Sequence, residues 1–140
     1  CDIEGEWTEG SRLKFTFLNG EGSGLTEEEL SGEVLRATPP QLLEFTWGVY
    51  SYLCEISPQE SGCTLRFTET LPKPSYGARD AAGWEMCFEN FERIVEGVET
   101  ALFAWNLWKE KFDRYAAKFE PEMGPQAGPP EGFSPPKDAG

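Results

Sequence analysis

At 140 residues the chain is long enough for one domain with a real core and too short for two comfortable ones. A net charge of −13 argues against nucleic acid or an anionic membrane surface as partner, since both are met with Lys and Arg. Aromatic residues make up 14% of the chain, more buriable surface than a disordered chain carries, and no apolar run approaches the roughly 18 residues that span a bilayer.

Ile3, Gly5 and Trp7 alternate with Asp2, Glu4, Glu6 and Thr8, the period of two of a half-buried strand. Leu13, Phe15 and Phe17 repeat it against Arg12, Lys14 and Thr16, with Glu9-Gly10 placed to turn between them. Asn19 to Gly24 reads as a flexible loop, and the acidic run Glu27 to Glu29 follows. A third strand covers about Leu30 to Ala37 and stops at Pro39-Pro40, because proline gives no N–H to a ladder. Leu43, Phe45 and Trp47 form the inward set of a fourth strand. Tyr52, Cys54 and Ile56 lead into a turn within Ser57–Gly62, and Cys63, Leu65 and Phe67 return opposite them. One apolar face per strand predicts an antiparallel sheet covered on one side.

Pro72 and Pro74 break the sheet pattern. Asp80 is placed to cap a helix from Ala81, whose stripe is Trp84, Cys87, Phe88, Phe91, Ile94, Val95 and Val98. Gly97 is its expected terminator. A second helix is expected from Glu99 to Phe119, with the stripe Ala101, Trp105, Trp108, Phe112, Tyr115 and Phe119. This spacing puts the domain at residues 1–119. Residues 120–140, rich in Pro and Gly, read as a disordered tail contributing almost nothing to stability.

With no histidine in the chain, Ser-His-Asp and Cys-His catalysis and His-ligated metals are excluded. The four cysteines lack metal-ligand or disulfide-scaffold spacing. No metal or cofactor is expected. The cysteines read as reduced thiols in a cytoplasmic protein, with Cys54 and Cys63 across their hairpin the one pair placed to bridge. No signal-peptide pattern is visible. Gly20 to Gly24 lacks the spacing of a phosphate loop and is followed by acid.

An inward Glu69 follows from inward Leu65 and Phe67, unless the strand ends and the side chain reaches water at the rim. In the third strand inward Val34 implies inward Arg36, and inward Leu35 implies inward Glu33; Arg36 at the sheet end is the simpler choice. Trp47, Tyr52, Phe67, Trp84, Phe88 and Phe91 are then either the walls of a ligand cavity or ordinary core, with Glu69 and Arg36 as its polar groups.

Gly32-Glu33-Val34, Pro39-Pro40, Leu43-Glu44-Phe45-Thr46-Trp47, Gly62-Cys63-Thr64-Leu65 and Gly83-Trp84 occur in that order. The ordered set resembles the C-terminal domain of the activator of heat-shock-protein-ninety ATPase, over about Trp7 to Phe119. That family belongs to the START-like, helix-grip (SRPBCC) superfamily. The resemblance implies an α+β fold, an antiparallel sheet wrapped on a long C-terminal helix with an apolar cavity between them, and a second C-terminal helix. The family normally begins with a strand and two short helices, so a chain opening at Cys1 is expected to be a truncated or processed form. The functional expectation is a non-enzymatic domain binding a small hydrophobic ligand or a protein partner. A co-chaperone acting on a heat-shock ATPase, with a stress-response role, and a small enzyme of the superfamily both stay open at this point.

Overall fold

The computed structural model describes residues 2–17 and 25–129. The loop expected at Asn19–Gly24, and the chain from Pro130 onward, lie outside the described residues. The chain divides into two compact units, Cys1–Pro72 and Lys73–Gly140.

The first unit is a six-stranded antiparallel meander in which each strand pairs with its chain neighbour. Its strands are β1 (Asp2–Glu4), β2 (Arg12–Thr16), β3 (Ser31–Thr38), β4 (Leu42–Trp47), β5 (Tyr50–Pro58) and β6 (Cys63–Thr70). The alternation expected from sequence is realised in β2, where Leu13 and Phe15 are buried and their neighbours exposed. Leu13, Phe15 and Val34 form the buried centre, and Ala37, Leu43, Phe45 and Trp47 pack around it. The first strand is shorter than its pattern. Beyond Glu4 the chain loops out and returns, and the Trp7 ring meets Phe45 edge-on at 5.4 Å.

β3 carries a register shift between Val34 and Arg36. Val34 pairs with Phe45, yet Arg36 pairs with Glu44 and Ala37 with Leu43. One extra residue therefore reverses the alternation, as a β-bulge does. The rule that inward Val34 carries Arg36 inward fails here. Arg36 lies on the wet face, where its Nε donates to Glu44 Oε2 at 2.5 Å.

Gly32 explains one part of the sequence motif. A Cβ built there would sit 1.9 Å from the Thr46 carbonyl oxygen, so only glycine lets β3 and β4 approach this closely. The neighbouring Glu33 N–H donates to Thr46 Oγ1 at 3.0 Å and fixes that approach. Gly32→Ala is expected to destabilise the chain by about 3 kcal/mol, the upper end of overpacking costs. A urea titration showing a loss under about 1 kcal/mol would contradict this reading of the strand contact.

The second unit holds a short 3-10 turn (Pro74–Tyr76), α1 (Gly77–Val95) and α2 (Trp105–Met123). Helix α1 starts four residues earlier than expected, so Asp80 is not its cap. Asp80 lies in the first turn, paired with Arg79 Nε at 2.7 Å, and the Arg79 guanidinium rests 3.9 Å over the Tyr76 ring. The turn at Pro74 already sets helical dihedrals, and Gly77, Ala78 and Ala82 are small enough to be buried there. The far end matches the sequence. Gly97 at φ 73° lets its N–H reach Ile94 O and the Val98 N–H reach Arg93 O, a Schellman closure.

Glu99 to Ala104 are not helical, which corrects the start of the second helix. Asn90 holds this connection instead. Its side chain accepts from the Ala101 N–H at 2.8 Å and donates to the Ala101 carbonyl at 3.1 Å. Arg93 Nε donates to Glu99 O at 2.6 Å. These bonds satisfy the backbone without helix, so the segment stays extended. Within α2, Trp105, Trp108 and Phe112 stack in series at 4.9 and 5.2 Å.

The tail boundary also moves. Helix α2 continues through Pro121 to Met123. Gln126 Oε1 then accepts from the Ala78 N–H at 2.9 Å, and the Ala127 N–H donates to Ser75 O at 2.8 Å. The apolar Met123 side chain and the glutamine amide anchor a stretch whose average composition reads as disordered.

Candidate ligand-binding face

Directly opposed residues in an antiparallel ladder share a face. Val34, Phe45, Tyr52 and Glu69 are opposed in turn, which makes one row across four strands. Ala37, Leu43, Cys54 and Phe67 form the next row, and Ile56 with Leu65 the one beyond. Trp47 and Tyr50 lie on the other side of the Glu69 row. The sheet thus brings Trp47, Tyr52, Phe67 and Glu69 onto one face. Glu69 is half-buried there, at the end of a row that is otherwise apolar.

The rings touch in sequence across the strands. Phe15 stacks on Trp47 at 4.2 Å, Phe45 meets Tyr52 at 5.2 Å, and Tyr52 meets Phe67 at 5.7 Å. Such pairs fix ring orientation and contribute roughly 0.5–1.5 kcal/mol each beyond simple burial. Arg36 does not join this face, so Arg36 and Glu69, expected together as the cavity's polar groups, lie on opposite faces of the sheet. Trp84 and Phe88 are neighbours on α1 at 6.2 Å, and Phe91 is 49% exposed. With Ile94, Val95 and Val98 also exposed, the later part of the α1 stripe is wet rather than core.

Two recesses open on the apolar face. The first, of about 370 Å³, is lined by Trp7, Ala37, Pro39, Pro40, Gln41, Leu42, Leu43, Cys54, Ile56 and Leu65. Among the described lining residues the polar groups are the Gln41 amide, the Trp7 indole N–H and the Cys54 thiol, and burial pushes that thiol up from its ordinary pKa. The second, of about 240 Å³, is lined by Leu25, Glu29, Trp47, Gly48, Val49, Tyr50 and Tyr52. The sequence pattern gave the inward side of each strand but not these walls. Trp7 and the Pro39-Pro40 turn are brought together only by the fold. Thr26-x-x-Glu29 has the spacing of a capping box.

That box is formed. The Glu29 carboxylate accepts from the Thr26 N–H at 2.8 Å and the Thr26 hydroxyl at 2.9 Å, and the hydroxyl accepts from the Glu29 N–H at 3.2 Å. The backbone bond from Thr26, then its hydroxyl, hold Glu29 below the usual carboxylate range. Cys54 and Cys63 do not face each other. Cys54 opposes Phe67 and Cys63 opposes Pro58, four positions along β6 and about 13 Å apart, beyond the roughly 7 Å limit for a disulfide. Cys54, Cys63 and Cys87 are free thiols. Among the described residues no group of three or more Cys, Asp or Glu could hold a metal, and no helix is long and apolar enough to cross a membrane.

The chain matches no protein-family profile and no curated protein sequence. Among solved structures it is similar to CalU16 from Micromonospora echinospora, with a TM-score of 0.62 at 17% identity, over 83% of this chain and 68% of that one. At that identity the likeness concerns fold alone. Six antiparallel strands followed by two C-terminal helices, together with this neighbour, establish an α+β fold of the helix-grip, START-like kind.

Proposed function

We propose that the chain binds a small apolar ligand without transforming it. The seat is the recess beside Pro39-Pro40. The observation that carries this is the recess itself. Its volume of about 370 Å³ falls inside the roughly 300–1,000 Å³ of small-molecule pockets, and its lining is almost wholly hydrocarbon and indole. Gln41, which lines the recess, is the polar group that would orient the guest. An enzyme needs convergent polar groups on the reacting atoms. Of the two nominated from sequence, only Glu69 lies on this face, which favours binding over catalysis.

The co-chaperone reading rests on the ordered motif alone. Gly32 in that motif serves strand approach, Gly62 serves the β5–β6 turn at φ 89°, and Pro39-Pro40 the β3–β4 turn. These local duties account for the residues without a partner protein.

A neutral apolar fluorophore such as N-phenyl-1-naphthylamine tests the proposal. Ile56 and Leu65 line the recess yet are 38% and 37% exposed, so a lysine at either reaches water while charging the wall. The parent chain is expected to take up the probe saturably. Ile56→Lys and Leu65→Lys should each weaken uptake by about tenfold or more, with the urea midpoint nearly unchanged. Absence of saturable uptake by the parent, or uptake indifferent to both lysines, would sink the proposal.

A further inference from the structure

The second recess has a different chemistry and is independent of the apolar-ligand seat. Trp47 and Tyr50 are directly opposed at the end of the β4–β5 hairpin, and Tyr52 lies two residues along the same face. The Tyr50 and Tyr52 rings are nearly parallel, with centroids 6.2 Å apart. Trp47 is backed by Phe15, stacked within 6° of parallel, so its indole is held in place before any ligand arrives. Leu25, Glu29, Gly48 and Val49 complete the lining. The Glu29 backbone abuts the hairpin: a Cβ built at Gly48 would lie 3.3 Å from Glu29 Cα and O. The Gly48 N–H donates to Ser31 O at 2.8 Å, which ties the hairpin tip to the strand that follows Glu29.

Aromatic ring faces carry negative charge density, and a carboxylate adds a full charge. Among the described residues no Lys or Arg lines the recess. Glu27 and Glu28 adjoin Glu29 in the chain, and the net charge is −13, so the surrounding field draws cations in. A hydrated metal ion is a poor match, because a single carboxylate among rings cannot replace its oxygen shell. A methylated ammonium suits such a wall, being cationic, weakly hydrated and apolar at its surface. The volume of about 240 Å³ is smaller than a drug-sized pocket and sets the guest at the size of a small ion.

We propose that Trp47, Tyr50, Tyr52 and Glu29 form a binding site for a small organic cation bearing a quaternary or tertiary ammonium group. Choline chloride, titrated into the ¹⁵N-labelled full chain against equal sodium chloride, is the test. Trp47→Phe identifies the Trp47 indole resonance. Choline is expected to shift that resonance saturably. Its neutral isostere 3,3-dimethylbutan-1-ol should bind about tenfold or more weakly, because it shares the shape but not the charge. Glu29→Gln keeps a carbonyl oxygen for Thr26, so the turn survives, and should weaken choline about three- to tenfold. Tyr50→Leu keeps the bulk and removes the ring, with a similar loss expected. Equal binding of choline and the alcohol, no saturable shift at Trp47, or choline binding unchanged in both variants would each overturn the site. A loss of naphthylamine uptake at the Pro39-Pro40 recess leaves these outcomes untouched, so the two proposals fail separately.

Discussion

Glu85→Gln is expected to cost about 2–3 kcal/mol at neutral pH, and that loss should vanish as the solution is acidified. Glu85 on α1 gathers three donors from α2. Lys111 Nζ donates at 2.8 Å, the Tyr115 hydroxyl at 2.7 Å, and the Arg114 guanidinium also donates to it. Burial pushes the carboxyl upward, but the bonds from Lys111, Arg114 and Tyr115 outweigh it and hold the pKa at about 2, against an ordinary 4.5. A depressed carboxylate stabilises the fold fully above its unfolded pKa. That stability is lost as pH falls from about 4.5 toward 2. The full shift would correspond to roughly 3.4 kcal/mol, and solvent screening of a side chain 25% exposed brings it down to the range above. The amide of the variant does not titrate. Parent and variant urea curves should therefore converge between pH 5 and pH 2.5, to within about 0.5 kcal/mol. A difference that stays constant with pH would mean the loss is one of shape rather than charge.

Ending the chain at Phe119 should cost about 2–4 kcal/mol, where composition alone predicts no loss at all. The Met123 methyl lies 3.1 Å from the position of a Cβ built at Gly77, and Phe119 and Gln126 contact the same spot. Met123 is half-buried, so its removal forfeits about half of the roughly 1.5–3 kcal/mol of a fully buried side chain. Ala78 is fully buried, and as an early helical residue its N–H has no partner within α1. Gln126 supplies that partner, and leaving a buried donor unpaired costs about 1–3 kcal/mol. Gln126→Ala isolates the second contribution and should lose about 1–2 kcal/mol. A truncated chain whose urea midpoint matches the parent would show that residues 120–129 rest on the helices without holding them.

Periodicity revealed most of the architecture because it reports which side of a strand or helix is apolar. Leu13, Phe15, Phe45, Trp47 and Tyr52 were all legible in this way. What it missed were local departures from regular geometry. The bulge at Leu35 moves Arg36 across the sheet, and no residue type near it announces an extra residue in the ladder. The start of α1 was misplaced because Asp80 has the composition of a cap, while Pro74 had already begun the turn. Pro121 and Gly124 gave the last turn of α2 the look of a tail, although Met123 is what anchors it. At the candidate site, Trp47, Tyr52, Phe67 and Glu69 were readable from strand phase. Glu29 was not, and Trp7, which has the phase of a strand, reaches its recess through a loop instead.

The unbroken meander order has a consequence for how the sheet is assembled. No strand must be threaded between two others, so each can be laid against a growing edge directly after its predecessor. Loop-closure entropy rises only slowly with length, and the β4–β5 closure spans just Gly48 and Val49. Sequence-local pairing of this kind lowers contact order, which favours rapid folding for an all-antiparallel sheet. The hairpin that closes most cheaply is the one whose tip carries Trp47 and Tyr50, so the cation-site rings are set by the most local pairing in the sheet.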